Sequence, residues 1–229
     1  FCGTEDSVQY GDYNVYNNLI GRSTSGSQCT ELIRSGINGG GKSVAWRTTW
    51  SWSGEEKKIK SFANAAHHHE PTPFVDTTEI PTIWEWTTTA SESEQKYNVA
   101  LNIFTSEEGP KDSGKNYEYQ IEIWLDRTGD DVKPIGNQLD GSSFTPGGDS
   151  NTGEQYLLFS GSNGVQTVFT FVATQKMNYF EGDLALFIQE LIDRGYMSGP
   201  QVIGAIRGGT TAYVGEKVEF ITNQFKVSI

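Results

Sequence analysis

The sequence predicts an all-β sandwich, and three observations carry that prediction. Short runs rich in Val, Ile, Thr and aromatic residues recur along the chain, clusters of Gly, Asn, Asp and Ser separate them, and one segment alone has a helical period. With 26 Gly, 10 Tyr and 12 Phe in 229 residues, the composition suits tight turns and aromatic strands better than long helices. A chain of this length can bury a sizeable core, so it does not need a disulfide framework to fold.

Taken in order, strands are expected over 13–20, 43–53, 59–67, 80–89, 97–105, 117–126, 155–160, 165–174, 201–207 and 217–228. So many short strands belong to a sandwich or a barrel. Between them, Ser35–Lys42, Glu107–Lys115 and Gly141–Gly153 are polar and glycine-rich but short for interdomain linkers, so one domain is expected over 1–229. Gly39–Ser43 (GGGKS) lacks the spacing of a phosphate-binding loop and reads as a hairpin turn. Within Glu181–Gly195, Leu184, Phe187, Ile188, Leu191 and Ile192 fall at i, i+3, i+4, i+7 and i+8, which predicts one amphipathic helix ending at a glycine.

Charge and length narrow the partners. Against 29 Asp and Glu stand 17 Lys and Arg, a formal charge of −12 that repels phosphate backbones, so nucleic acid is set aside. No apolar run approaches the roughly 20 residues of a membrane helix, and the N-terminus does not read as a signal peptide. A soluble, mature, monomeric chain is expected. Cys2 and Cys29 are either a disulfide stapling the N-terminus or two buried thiols; a disulfide would favour an oxidising compartment and hence secretion.

Alternation in a strand brings Trp46, Thr48, Trp50 and Trp52 to one face, and likewise Trp84 and Trp86. Such rows serve either as stacking platforms for pyranose rings or as core. In Asn116–Asp126 (NYEYQIEIWLD), Glu118, Gln120, Glu122, Trp124 and Asp126 share a face, as in a polar cleft wall. Paired carboxylates about 5–5.5 Å apart are what a retaining glycosidase uses as nucleophile and proton donor. His67, His68 and His69 lack companions at metal-ligand spacing and read as surface residues, so neither a metal nor a cofactor is expected. No Gly-x-Ser-x-Gly elbow supports a serine hydrolase.

Nine stretches together resemble glycoside hydrolase family 12, secreted endoglucanases and xyloglucanases with a β-jelly roll. They are Phe1–Gly3, Gly11–Gly21, Thr24–Thr30, Ala45–Gly54, Ser61–Ala65, Ile80–Trp86, Ile123–Leu125, Gly161–Gly164 and Phe169–Ala173. The resemblance implies two stacked antiparallel sheets, an open cleft that binds β-1,4-glucan, a Cys2–Cys29 disulfide, a helix packed on the convex sheet, and a fungal or oomycete source. It also implies an altered centre. The family's nucleophile, a Glu four residues before the Trp of Ile-Trp-Leu, falls on Gln120. Its acid, in a Gly-Thr-Glu-Pro-Phe run, falls on Thr211, and the Asp that supports the nucleophile falls on Asn102. Two family Trp positions are Glu5 and Ile20, and Glu122 stands where the family has Met.

An amide cannot form a glycosyl ester, and a threonine hydroxyl has no useful acidity. The expectation is therefore a secreted, catalytically impaired homologue that binds a β-glucan, or a protein such as a glucanase inhibitor for which it would act as decoy. Trp124, Glu118, Asp126, Arg207 and Trp46 are the expected substrate-binding residues. The alternative is an active endo-β-1,4-glucanase or xyloglucanase with a relocated carboxylate such as Glu122, or eliminative cleavage using Arg207, Tyr213 and a carboxylate.

Overall fold

The computed structural model describes residues 1–21, 25–33, 42–77, 79–89, 94–109, 117–148 and 153–229. Its strands are β1 (Ser7–Tyr10), β2 (Tyr13–Tyr16), β3 (Gly26–Leu32), β4 (Val44–Trp52), β5 (Ser61–His67), β6 (Thr72–Pro73), β7 (Pro81–Thr89), β8 (Lys96–Ser106), β9 (Tyr119–Thr128), β10 (Asn137–Phe144), β11 (Tyr156–Ser162), β12 (Thr167–Ala173), β13 (Tyr179–Asp183) and β14 (Val202–Val227). The one α-helix among the described residues is α1, Ala185–Asp193.

Two sheets share β14. Its first half lies between β5 and β8 in a sheet ordered β1-β2-β5-β14-β8-β9-β12-β11-β10. Its second half, from Gly215, lies between β4 and β7, with β3 and β13 outside them. Pairing is antiparallel except between β9 and β12, which run parallel. The result is a β-jelly roll, as expected, with one parallel pair that the sequence did not announce.

Aromatic rings fill the space between the sheets. Trp46 is 0% exposed, stacks on Trp84 at 6.2 Å and meets Phe225 edge-on at 5.9 Å. Trp50, Trp52 and Trp86 are also buried. Trp46 is thus not a sugar platform: the face it shares with Trp50 points into the core.

The helix starts later than its period suggests, because Glu181 to Asp183 extend β13 along β7. Asp183 then caps the turn, its Oδ1 accepting the backbone N–H of Ile80 at 2.7 Å and of Ala185 at 2.9 Å. Leu184, Phe187, Ile188 and Leu191 are buried as the period requires, and Phe187 packs on Phe144, Tyr156 and Phe171. At the far end Gly195 takes φ +72°, while Tyr196 N–H bonds Leu191 C=O at 2.9 Å.

Strands β1, β3, β6, β10 and β13 were not expected, and the separate strands at 201–207 and 217–228 are one. The glycine-rich segments at 35–42 and 107–115, with the turn at 39–43, fall largely outside the described residues, whereas 141–148 is described and begins with the end of β10. Cys2 and Cys29 form a disulfide that ties the N-terminus to β3.

Candidate functional site

The strands β14, β8 and β9 sit side by side near the middle of the longer sheet. Alternation sends Leu101, Ile103, Ile121, Ile123 and Ile206 into the core, all at 0% exposure. Their neighbours Asn102, Phe104, Gln120, Glu122, Trp124, Arg207, Thr211 and Tyr213 therefore share the opposite, polar face. Register fixes who meets whom: Asn102 faces Arg207 on one side and Glu122 on the other, and Phe104 faces Gln120.

Gln120 is the hub of a side-chain network. Its Nε2 donates to Asn102 Oδ1 at 2.9 Å and to Glu122 Oε1 at 2.9 Å, and its Oε1 accepts from Asn163 Nδ2 at 3.2 Å. Two acceptors on one side and a donor on the other define which way the amide points. Glu122 Oε2 accepts from Trp124 Nε1 at 2.8 Å and from Thr170 Oγ1 at 3.3 Å. Burial pushes the Glu122 carboxyl up from the usual range, and the hydrogen bonds from Trp124 and Thr170 offset part of that rise.

The remaining predicted residues are placed unevenly. Trp124 is buried against Ala100, Val132 and Val172, with Tyr213 beside it. Tyr213 is pushed up to about 12 by burial and then by the charges of Glu122 and Asp131, which puts its phenol within electrostatic reach of Glu122. Thr211 lies on the same face, opposite Asn98 and Phe62, and does not join the hydrogen-bonded cluster. Asp126 is separated from the row by a bulge, since Trp124 pairs with Ala100 and Asp126 with Val99. It pairs with Lys176 at 3.7 Å and lines a cavity of about 340 Å³ beside Trp124. Glu118 accepts the backbone N–H of Glu107 at 3.1 Å, at the edge of the face. Trp46 lies on the other sheet with its ring in the core. Glu5 and Ile20 are exposed.

His67 and His69 share a side as parity predicts, but they are half-buried and stacked at 5.4 Å rather than surface residues. Burial and then the His69 charge lower His67 to about 4. Among the described residues no three His, Cys, Asp or Glu side chains converge as metal ligands.

Asn163, Thr170, Phe104 and Tyr117 belong to the face and were missed from sequence. Asn163 lies in the turn between β11 and β12, where its Oδ1 accepts the N–H of Val165 and Gln166. The Gly161–Gly164 motif marks this turn but does not say that it reaches across to Gln120.

Chemically, the face offers one central carboxyl whose charged form is disfavoured, bonded by an amide, an indole and a hydroxyl. A retaining glycosidase needs two carboxyls about 5–5.5 Å apart. Asp126 and Glu118 are each engaged elsewhere.

The family model for glycosyl hydrolase family 12 matches residues 11–229. A xyloglucan-specific endo-β-1,4-glucanase A of Emericella nidulans is 37% identical over 233 residues, covering 100% of this chain and 90% of that protein. The xyloglucan-specific endo-β-1,4-glucanase A of Aspergillus aculeatus is 35% identical, with the same coverage of 100% and 90%. Among solved structures, Trichoderma harzianum endoglucanase 3 superposes with a TM-score of 0.84 at 27% identity, covering 100% of this chain and 96% of that one. The catalytic domain of Humicola grisea Cel12A, in complex with a soaked thio-cellotetraose, gives 0.86 at 25% identity, covering 99% and 97%. On the family match and these identities, the chain belongs to glycosyl hydrolase family 12.

Proposed function

We propose that this is a secreted, monomeric, single-domain family 12 protein that binds a β-1,4-glucan chain of cellulose or xyloglucan type on its polar face without hydrolysing it efficiently. The carrying observation is Gln120. At the position where the family resemblance puts the nucleophile stands an amide whose Nε2 is committed to Asn102 and Glu122. It cannot form a glycosyl ester, and Thr211 cannot protonate a leaving group. General acid–base help alone is worth about 10²–10⁴-fold, so losing nucleophile and acid together leaves little turnover by that route. Binding is supported by the relatives' names, which specify xyloglucan, and by the thio-cellotetraose in the Humicola structure. The Cys2–Cys29 disulfide supports secretion.

A second reading is favoured by Glu122. A buried carboxyl held towards its protonated form is the signature of a general acid, so an enzyme with a relocated carboxylate remains the competing account. The test is mass spectrometry of soluble products after prolonged incubation with xyloglucan, mixed-linkage β-glucan and glucuronan, beside a mock purification, with calorimetry of xyloglucan oligosaccharide binding. Binding without products above the mock is the expected result. Products that vanish in Glu122→Gln would establish the enzyme, and absence of both products and binding would leave a protein partner as the occupant.

A further inference from the structure

Arg207 carries a charge that the described residues leave unanswered. It stands on β14 opposite Asn102 and Ala66, half-buried, and its Nε is buried without a hydrogen-bond partner. Among the described residues no carboxylate lies within ion-pair distance of it. What it touches is aromatic: the guanidinium carbon is 5.2 Å from the centre of the Phe104 ring, and Phe104 packs on Tyr117 at 5.7 Å. The ionisable groups that face it are the phenols of Tyr16 and Tyr117.

The wall around Arg207 is built rather than incidental. Tyr117 packs against β14 at Gly204, where a Cβ would come within 2.0 Å of its ring. That glycine sits in a bulge, since Ile203 pairs with Thr105 but Ala205 with Phe104. Arginine is rarely buried unless paired, and taking its charge out of water is costly unless an anion or acceptors replace the lost hydration. The Phe104 ring recovers part of that cost but gives the buried Nε no acceptor. A side chain kept there for packing alone would do better uncharged.

Its position says where the missing anion comes from. Phe104 is directly opposite Gln120, so Arg207 and Gln120 flank one ring on the face proposed to hold the glucan. We infer that Arg207, walled by Phe104 and Tyr117, is a carboxylate-binding subsite that selects a β-glucan-type chain bearing a uronic acid. This rests on the glycan-binding reading above and specifies its ligand. The planar guanidinium can take both oxygens of a carboxylate at once. The formal charge of −12 disfavours a densely charged polymer, so the fit is a mostly neutral chain with isolated carboxylates.

The test is calorimetry of the wild type and of Arg207→Gln with two probes: cellotetraose, and the same tetrasaccharide with a single C6 oxidised to the carboxylate. The wild type should prefer the acidic probe by about tenfold to a hundredfold, the range for hydrogen bonds to charged groups, and the preference should shrink as salt is raised. Arg207→Gln should lose the preference, read as the ratio of its affinities for the two probes, and melt no lower than the wild type because it removes an unpaired charge. Equal affinity of the wild type for both probes, or a preference that survives in Arg207→Gln, overturns the subsite while leaving glycan binding intact. Binding of neither probe to the wild type overturns both. Full displacement of the acidic probe by equimolar acetate would show a site for small anions and overturn the assignment to a glycan.

Discussion

Replacing Gln120 by Glu returns a carboxylate to the position where the family resemblance puts the nucleophile, and the surrounding residues oppose it. Gln120 Nε2 lies 2.9 Å from both Asn102 Oδ1 and Glu122 Oε1. The substitution removes both donated hydrogen bonds and sets two carboxyls against each other at that distance. If both were ionised, their repulsion would be about 6 kcal/mol at an effective dielectric near 20, so the pair keeps one proton and titrates as a unit. Glu122 is already raised by burial, and the second ionisation of the pair is raised further. A carboxyl with a folded pKa above its unfolded value makes the native state bind more protons. The variant's stability is therefore least affected below the unfolded pKa of about 4.3 and falls as pH climbs towards the folded value. Each unit by which the folded value stands above the unfolded one costs about 1.4 kcal/mol at neutral pH, or roughly 3–6 °C in melting temperature for a chain of this size. Thermal unfolding of wild type and Gln120→Glu at about pH 4 and about pH 8 reads this directly. A melting deficit that is the same at both pH values would refute the placement of Gln120 against Glu122. Adding Glu122→Gln to the variant should abolish the pH dependence.

Further expectations follow from the packing. Replacing Cys2 and Cys29 by Ser opens a loop spanning 27 residues of sequence separation, and should cost about 3–4 kcal/mol on the chain-entropy model, read as a melting temperature that reduction lowers in the wild type but not in the variant. Trp46→Ala should lose about 3–5 kcal/mol of stability as a core deletion while the folded fraction keeps its affinity for xyloglucan oligosaccharides; a selective loss of binding would return Trp46 to the site. His67 is neutral in the fold, with its pKa lowered to about 4, so its contribution is fully present above the unfolded pKa of about 6.5 and is lost as pH falls from there. After allowance for solvent screening this is about 2 kcal/mol, and His67→Gln should flatten the acid limb of the stability profile measured by urea unfolding.

Period-2 alternation was enough to read the polar face of β9, because Gln120, Glu122 and Trp124 keep strict parity. Parity also grouped Trp46, Trp50 and Trp52 correctly, but it says only that side chains share a face, and nothing local says which face meets the other sheet. The bulge after Trp124 broke the row before Asp126 and left no mark in composition. The strands β3 and β10 are polar and glycine-containing, so they read as loops until a neighbour pairs with them. Gly208, Gly209 and Gly215 made β14 look like two strands, but Gly208 and Gly209 are paired on both sides within the first sheet, and only Gly215 stands where the strand passes to the second. Arg207 was named as a ligand contact from its side-chain type and parity; its stacking on Phe104 depends on a cross-strand register that a single sequence does not show.

Strand β14 is a load shared by both layers: its first half is bracketed by β5 and β8, its second by β4 and β7. Every strand it joins is synthesised earlier. During translation neither layer can close, and the inward faces of both, with Trp46, Trp84 and Ile103 among them, wait for a partner that arrives last. Contacts of this sequence separation make for slow folding. The chain therefore spends its vulnerable interval with its most aromatic surfaces uncovered, which makes shortened products and stalled chains a matter for chaperones and proteases rather than for partial function.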